Sequence, residues 1–324
     1  MSVVSNSRSV LLWHVHGSWT ESFVAGRHRC VLPVNPARDA DGRGRCGRNW
    51  PRAHEVSSDE LDGEHIDMVV LQRPEEIELT SRWLGRRPGR DIPAVYVEHN
   101  APRPFAVDSV HPLADRRDIP IVHVTDFNRL MWNNGVAPTR VITHGIVDPG
   151  LLYRGDVAAA ATMINEPCRR WRTVGADLLT AFSETVPIDV WGIGTDVLFE
   201  CITSPRVRGR GDLPAAALLP EVARRRVFLH TARWTSLGLS LIEAMFIGMP
   251  VVAVASTMAP LVVPPEAGVV SADMDTLSCA LSSFVADGAA AVAAGKAARD
   301  FAKAQFGIDR FLAQWDDLID ECCR

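Results

Sequence analysis

The sequence lacks an excess of basic charge: 39 acidic residues against 34 lysines and arginines give the 324-residue chain a net charge of −5. A general nucleic-acid binder needs a basic field to displace counterions, so we expect no nucleic-acid partner. There is also no apolar run of the about 20 residues that a membrane-spanning helix needs. The first residues hold too short an apolar run to predict a signal peptide. Peripheral contact with a membrane stays open.

Cysteine is scattered. The seven cysteines are odd in number and include no Cys-x-x-Cys pair, so we expect neither a disulfide framework nor a structural zinc site. This pattern predicts a cytoplasmic protein. The histidines lack a tight ligand spacing on one helix, which predicts no metal site. No Walker loop is present, and no Ser-His-Asp or Cys-His arrangement can be read from the spacing.

What the sequence does contain is apolar material for two domains. It is 47% hydrophobic and 23% charged, which is a globular composition, and its length suits two domains of about 150 residues. Short β-branched runs alternate with helical patterns, which predicts an α/β architecture with parallel sheets.

The predicted strands fall into two series. The first comprises Val10–His16, Cys30–Val34, Met68–Gln72, Ala94–His99, Ile121–Thr125 and Arg140–His144, and the second Ala159–Ile164, Ile188–Trp191, Val227–His230, Val251–Ala255 and Val269–Ser271. Helices are predicted at Pro74–Leu84, Val174–Thr185, Pro214–Arg225, Leu239–Ile247 and Asp275–Ala286. The aperiodic, Gly- and Arg-rich segment Asn35–Glu55 predicts a long mobile surface loop. The last residues carry one apolar helical stripe, which predicts a packed helix.

Polar residues follow the predicted strands of the first half. Ligands of parallel sheets bind beyond the carboxyl ends of the strands, and three such ends carry a histidine followed by glycine or asparagine. These donors and acceptors suit a hydroxyl-rich substrate; the alternative is that they only cap loops. The residues are His14, His16, Gly17, Glu98, His99, Asn100, Thr125, Asp126, His144 and Gly145.

In the second half, Arg169, Arg170 and Arg172 are predicted to lie between a strand end and the next helix. Guanidinium groups bind phosphate in a bidentate manner, so these residues predict a phosphate site. The alternative is solvated loop charge.

The segment TSLGLSLIEAMFIGMPVVA, Thr235–Ala253, predicts a buried helix that begins at Leu239. The unpaired N–H groups and the partial positive charge of a helix start attract anions. Ser240 and Glu243 are the only polar side chains on this helix and, three residues apart, share one face. We predict that Glu243 accepts hydrogen bonds from the ribose hydroxyls of a nucleotide. An exposed glutamate without such a role is the alternative.

The Leu-Ile-Glu-Ala-Met segment and the Gly-Met-Pro-Val-Val turn after it resemble the hallmark segment of retaining glycosyltransferases of the GT-B fold, family 4, often called group 1. RVITHGIVDPG is similar to that family's interdomain crossing, and IDVWGIGTD to its second strand and turn. The similarity is good from about Ala94 onward and poor before residue 90. It implies two Rossmann-like domains facing each other across a cleft, at residues 1–153 and 154–303. A C-terminal helix in 304–324 would pack back on the first domain.

The resemblance also implies roles. The second domain would bind a nucleoside diphosphate sugar as co-substrate, and the first a glycan or small polar acceptor, with no cofactor and no metal. His99 and Glu243 would serve catalysis. The implied donor-binding residues are Gly17, Arg169, Arg172, Thr235, Gly238, Leu239, Ser240 and Glu243, and the implied acceptor-binding residues are His16, Glu98, Asn100 and His144.

The sequence departs from the family pattern at three places. Thr235 replaces a glutamate that contacts the transferred sugar, and STMAP replaces a glycine-rich loop. The family's lysine after its arginine falls on Val174, so Arg170 or Arg172 would have to supply that charge. We predict a metal-independent, retaining hexosyltransferase-like enzyme of glycan biosynthesis. The alternative is a catalytically degenerate GT-B domain that binds nucleotide sugar or glycan without turnover. A GT-B epimerase or phosphorylase is disfavoured, because no lysine stands ready for a pyridoxal Schiff base.

Overall fold

The structure is a computed structural model that describes residues 7–324, without the side chain of Ala215. The chain forms two compact units. The first comprises the chain up to Val147 together with Ile308–Arg324, and the second is Asp148–Gly307. The predicted domain limits were residues 153 and 303, so the structure places the first change of unit earlier and the second one later.

The first unit is built on a parallel sheet of seven strands. The strands are β1 (Ser9–Leu12), β2 (Arg29–Val34), β3 (Ala53–Ser57), β4 (Met68–Leu71), β5 (Ala94–Glu98), β6 (Ile121–His123) and β7 (Thr139–Val141). Their order in the sheet is β3-β2-β1-β4-β5-β6-β7, and every neighbouring pair is parallel. Its helices are α1 (Gly17–Val24), α2 (Glu75–Leu84), α3 (Asp126–Met131) and the 3-10 turn Leu61–Gly63.

The second unit holds a parallel sheet of six strands. The strands are β8 (Val157–Met163), β9 (Ile188–Trp191), β10 (Val207–Gly209), β11 (Arg225–His230), β12 (Val251–Val254) and β13 (Gly268–Ser271), in the order β10-β9-β8-β11-β12-β13. Its α-helices are α4 (Pro167–Val174), α5 (Leu179–Thr185), α6 (Ala215–Val222), α7 (Leu239–Phe246), α8 (Ala259–Val262), α9 (Met274–Ala286) and α10 (Gly288–Phe306). Its 3-10 turns are Ala176–Leu178, Leu198–Glu200 and Pro265–Ala267.

The two sheets share one topological feature. In each sheet the strand order reverses beside the unit's first strand, between β1 and β4 in the first unit and between β8 and β11 in the second. In doubly wound sheets, ligands bind beyond the carboxyl ends of the strands at this reversal. The fold therefore marks one candidate site in each unit.

The last helix, α11 (Ile308–Cys322), belongs to the first unit. Its apolar stripe buries Phe311 and Trp315 against the apolar cluster that also contains Trp19. The segment that follows β7 passes close to this helix: a Cβ on Gly145 would lie 2.3 Å from the Cβ of Phe311. Glycine at 145 therefore permits the contact between the end of the first sheet and this helix.

The segment predicted as a mobile loop, Asn35–Glu55, is instead attached to the first unit. Its last residues enter β3, which begins at Ala53, and the Trp50 side chain is buried in the core. Nδ1 of His14 lies 3.0 Å from the Gly44 carbonyl oxygen. The prediction of a surface loop therefore holds from Asn35 to Arg52, where no helix or strand forms, and fails at Ala53–Glu55, where a short edge strand begins.

The helix predicted at Val174–Thr185 is also wrong in its limits. A first helix, α4, ends at Val174, and Gly175 adopts a left-handed conformation with φ +72°. A Cβ on Gly175 would lie 2.0 Å from the Thr231 carbonyl oxygen, so only glycine fits there. Consequently the predicted arginine cluster lies within α4 rather than before a helix.

The structure contains one disulfide, which the sequence analysis did not predict. Cys168 on α4 is bonded to Cys201, and five cysteines are free. Among residues 7–324, no single helix is long and apolar enough to cross a membrane, and only the bent pair of α9 and α10 passes that test together, by length and composition alone.

Candidate functional site

Histidines gather at the carboxyl ends of the first sheet. We call His16, His99 and His144 the histidine cluster. The His16 and His99 rings lie 4.2 Å apart between centroids, and the His99 and His144 rings stack at 6.2 Å. The edge of Trp19 on α1 packs against His99 at 5.3 Å. The structure therefore brings together three strand-end histidines that are far apart in the sequence.

Burial keeps these imidazoles neutral at pH 7. It lowers the pKa of His16 to about 4, although Glu98 acts in the opposite direction. It lowers the pKa of His144 to about 3 and that of His99 well below its ordinary value. A neutral imidazole carries one hydrogen-bond donor and one acceptor. The cluster can therefore bind hydroxyl groups, but it supplies no positive charge for a phosphate.

His144 has unused bonding capacity. Its side chain is buried, and within the described part of the chain its Nδ1 atom has no hydrogen-bond partner. Buried polar atoms are nearly always paired, so such an atom needs a reason. A ligand hydroxyl at this place would supply the missing partner.

Glu98 holds the loop after β5. Its side chain is only 5% exposed; one carboxylate oxygen accepts from the Asn100 amide at 2.6 Å, and the other lies 3.2 Å from Nε2 of His111. Nδ1 of His111 accepts from the Leu113 amide, which places its proton on Nε2. These contacts show that Glu98 stabilises the loop after β5. The sequence analysis predicted only an acceptor-binding role for this residue.

Asn100 contributes to the same loop through its backbone. Its carbonyl oxygen accepts from Nε1 of Trp132 at 2.9 Å and from the Asn128 side chain at 3.1 Å. Its own residue surface is exposed. The asparagine therefore remains accessible for the predicted contact with an acceptor.

Gln72 was missed as a site residue. It directly follows β4, at the reversal of the first sheet, and is 5% exposed. Its side-chain nitrogen donates to the Trp13 carbonyl at 2.7 Å, and its oxygen lies 3.0 Å from Nε2 of His99. The sequence feature that could have identified Gln72 is its position, as a polar residue directly after the wholly apolar strand β4.

Gly17 begins α1, where no side chain caps the helix. A Cβ at this position would lie 3.0 Å from Nη2 of Arg48 and 3.6 Å from Nε2 of His14. Arg48 also pairs with Glu21 at 2.9 Å and lies over the Trp50 ring at 5.6 Å. Arg48 therefore places a positive charge near the start of α1. It lies within the aperiodic segment Asn35–Glu55, and the sequence analysis did not identify it as a site residue.

In the second unit, α7 begins at the reversal of the sheet. Gly238 precedes it with no side-chain cap. Leu241, Ile242 and the residues of the last turn are buried, whereas Leu239, Ser240 and Glu243 are half-buried. The predicted polar face therefore exists: Ser240 and Glu243 lie together on the less buried side of an otherwise apolar helix.

Gly238 is required by a buried histidine. A Cβ there would lie 2.8 Å from Cε1 of His230, at the end of β11. Burial lowers the pKa of His230 to about 4, so this ring is neutral as well. Close packing of the ring against a residue without a side chain fixes the path of the chain into α7.

Arg169 and Arg172 lie on α4 with carboxylate partners. Arg169 donates to Glu166 at 2.8 Å, and Arg172 to Asp177 at 3.1 Å. The arginine side chains are 69% and 72% exposed. They remain accessible to a phosphate, in competition with these carboxylates.

Arg233 is a second residue that sequence reasoning missed. It lies between β11 and α7 and binds both carboxylate oxygens of Asp177, at 2.6 and 3.0 Å. It also donates to the Arg172 carbonyl at 3.1 Å. Asp177 therefore joins α4 to the loop that carries the half-buried Thr235.

No group of three or more His, Cys, Asp or Glu side chains among residues 7–324 is placed to hold a metal ion.

Comparisons with known proteins come from a family model and from solved structures. Residues 207–301 match the family model described as Glycosyl transferases group 1. No curated protein matches the chain significantly.

Three solved structures illustrate the fold. Sucrose-phosphate synthase from Thermosynechococcus elongatus has a TM-score of 0.72 at 15% identity, over 97% of this chain and 98% of that chain. HepE of Anabaena, in complex with UDP and glucose, has a TM-score of 0.74 at 15% identity, over 97% and 100%. TarM of S. aureus, in a complex that contains UDP, has a TM-score of 0.64 at 16% identity, over 78% of this chain and only 55% of that chain.

At 15% or 16% sequence identity, the similarity to these structures shows the fold alone. The chain has the GT-B fold with two Rossmann-like domains, which confirms the predicted fold class. The resemblance to group 1 glycosyltransferases is confirmed over residues 207–301, a range that contains α7 and Glu243.

Proposed function

We propose that this chain is a glycosyltransferase that moves a hexose-like sugar from a nucleoside diphosphate sugar to a hydroxyl-bearing glycan or small polar acceptor. We further propose that it acts with retention of configuration and without a metal ion. The observation that carries the proposal is Glu243. It lies on the accessible face of a buried helix, within the matched family segment, one turn from a helix start that no side chain caps.

The geometry at α7 supports a diphosphate beside the nucleotide sugar. The backbone amides at the start of α7, at Gly238 and Leu239, and the positive end of the helix attract anionic oxygens. Glu243 then accepts hydrogen bonds from two vicinal hydroxyls of the ribose. HepE and TarM were both crystallised with UDP, so a uridine diphosphate sugar is the first donor to test.

Charge for the leaving diphosphate would come from arginines instead of a metal. Arg169, Arg172 and Arg233 lie near the carboxyl ends of β8 and β11, each already oriented by a carboxylate. Preorganised donors stabilise the charge that develops on a leaving group. On binding, the phosphates would take the place of Glu166 and Asp177 as partners of these guanidinium groups.

The histidine cluster would bind the sugar and acceptor side. Its imidazoles are neutral at pH 7, so they suit hydroxyl groups rather than phosphates. In this proposal His99 lines the reaction centre, while His16, His144 and Asn100 contact the acceptor.

The test is donor binding by Glu243→Gln measured by isothermal titration with UDP-glucose. If Glu243 holds two ribose hydroxyls, the affinity falls by about 1–3 kcal/mol, or roughly 5- to 150-fold. Glu200→Gln, at an exposed glutamate of the same unit, is the matched control and keeps its affinity. Equal affinity of E243Q and E200Q would contradict the proposed site.

A second candidate is a degenerate GT-B domain that binds nucleotide sugar or glycan without turnover. Thr235 favours it, because a carboxylate that contacts the transferred sugar in the family is missing here. An assay for UDP release from a panel of UDP sugars, with and without glycan acceptors, separates the two. Binding without release under any combination would favour the degenerate domain.

A further inference from the structure

A disulfide joins the arginine-bearing helix α4 to the rest of the second unit. Cys168, in the first turn of α4, is bonded to Cys201, which lies 33 residues further along the chain, directly after the 3-10 turn Leu198–Glu200. Both cysteines are half-buried, so the bond is accessible to a small thiol. It lies next to Arg169 in the sequence, one of the arginines that we assign to the leaving diphosphate.

The Cys201 side of the bond is fixed to the core. The side chains of Leu198 and Ile202, on either side of this cysteine, are buried in the apolar core of the second unit. The Ile202 amide donates to the Leu198 carbonyl at 2.9 Å. The disulfide therefore attaches the first turn of α4 to a rigid part of the second unit.

The backbone of α4 is strained at two positions. Glu166, directly before the helix, has φ +54°, and Trp171 within it has φ +24° and ψ −95°. Residues other than glycine rarely adopt such dihedrals, and they do so where the surrounding structure holds them. The first part of α4 is therefore in a conformation that it would leave when a restraint is removed.

The last turn of α4 has restraints of another kind. The Thr231 hydroxyl donates to the Val174 carbonyl at 2.7 Å. The Arg233 amide donates to the Thr173 carbonyl at 3.0 Å. These hydrogen bonds do not depend on the disulfide. Breaking the disulfide should therefore release the first turn, which carries Arg169, and leave the last turn in place.

We propose that Cys168 and Cys201 form a reversible redox modification site that controls the position of Arg169 and, through it, the affinity for the nucleoside diphosphate. The disulfide form holds the Arg169 guanidinium near the carboxyl end of β8, and the dithiol form releases it. The statement about nucleotide affinity rests on the proposed function; the redox control of α4 does not.

The reductant is a dithiol. One of its thiolates attacks a sulfur of the Cys168–Cys201 bond, which breaks and leaves a mixed disulfide between the protein and the reductant. The second thiol of the reductant then displaces the protein sulfur. Two electrons and two protons pass to the two cysteines, and the reductant leaves as a disulfide. In a cytoplasm, the location that we predict, disulfides are rare and those that form are usually catalytic or redox-sensing.

Hydrogen exchange of the full chain, oxidised and after treatment with dithiothreitol, tests the control of α4. Alkylation of the unfolded chain first checks that Cys168 and Cys201 react only after reduction. On reduction we expect faster exchange at residues 168–172, with β8 and β11 unchanged. Cys279→Ser removes an exposed free thiol of the same unit and should respond as the wild type. Equal exchange of α4 in both states, or alkylation without reductant, overturns the proposal.

Isothermal titration with UDP at low salt tests the control of nucleotide affinity. Reduction should lower the affinity about threefold, as loss of Arg169 should, because a released arginine no longer favours the binding conformation. In Arg169→Gln, reduction should change the affinity less than about 1.5-fold, since both changes remove the same contact. Faster exchange of α4 with unchanged UDP affinity would overturn this control. Faster exchange in a protein that binds no UDP in either state would support the redox-controlled helix and contradict the proposed function instead.

Discussion

The two candidate sites occupy equivalent places in their sheets but are built from different chemistry. At the reversal of the first sheet, buried histidines are kept neutral by desolvation. At the reversal of the second, exposed arginines are paired with carboxylates around a helix start. Neutral imidazoles suit hydroxyl groups, whereas guanidinium groups and free amides suit phosphates. The same architecture therefore presents two different chemistries at the ends of its strands, set by how deeply the strand-end residues are buried.

The largest expected effect is loss of the first domain's stability in acid. Burial lowers the pKa of His16 to about 4 and of His144 to about 3 from the ordinary 6.5. The unfolded chain therefore binds protons that the folded one excludes, so stability is complete above about pH 6.5 and falls as the pH drops toward those folded values. At pH 5 each of these histidines should cost about 2 kcal/mol.

Hydrogen exchange at pH 7 and pH 5, corrected for intrinsic rates, measures this difference. Of the ten histidines only His230 lies in the second unit, with a pKa lowered to about 4. Protection of β1 and β5 should therefore fall at least twice as much, in free energy, as that of β8 and β11. An equal loss of protection in both sheets would contradict the proposed difference between the two sites.

A smaller effect on stability is expected when the glycines at the two helix starts are replaced by alanine. In Gly238→Ala the new methyl group meets the buried His230 ring at 2.8 Å, and we expect a loss of about 1–3 kcal/mol because the ring cannot move away freely. In Gly17→Ala it meets the end of the flexible Arg48 side chain at 3.0 Å, so the loss should stay below about 1 kcal/mol. Urea unfolding of both variants checks this order; G17A as the more damaging change would contradict it.

The smallest effect concerns the exposed ion pairs. Arg169→Gln should shift Tm by less than about 2 °C, because the side chain is 69% exposed and its pair with Glu166 is screened by water. It should nevertheless weaken UDP binding about threefold at low salt, and less at high salt. The control is Arg38→Gln, which breaks an exposed pair with Glu55 in the first unit. UDP affinity that responds equally to both substitutions would exclude a specific role for Arg169.

The sequence predicted the buried strands well because their apolar runs are continuous. It missed β3 and β10, which are short edge strands with half-exposed residues. Such strands contact the sheet on one side only, and therefore carry a weaker apolar pattern.

The candidate site was predictable only in part. Histidines at strand ends and the polar face of α7 follow from local periodicity, and the structure places them as expected. Gln72, Arg48 and Arg233 were missed because their partners are distant in the sequence. Glu98 shows the converse: its position next to His99 suggested a ligand contact, while the Asn100 amide donates to one of its oxygens and Nε2 of His111 lies 3.2 Å from the other.

The central claim is that a nucleoside diphosphate binds at the start of α7. Hydrogen exchange of the full chain with and without saturating UDP tests it most directly. We predict slower exchange of the amides from Gly238 to Glu243 and of the loop around Arg233, with no change around His144. Slower exchange confined to the first unit, or none anywhere at saturating UDP, would contradict the account.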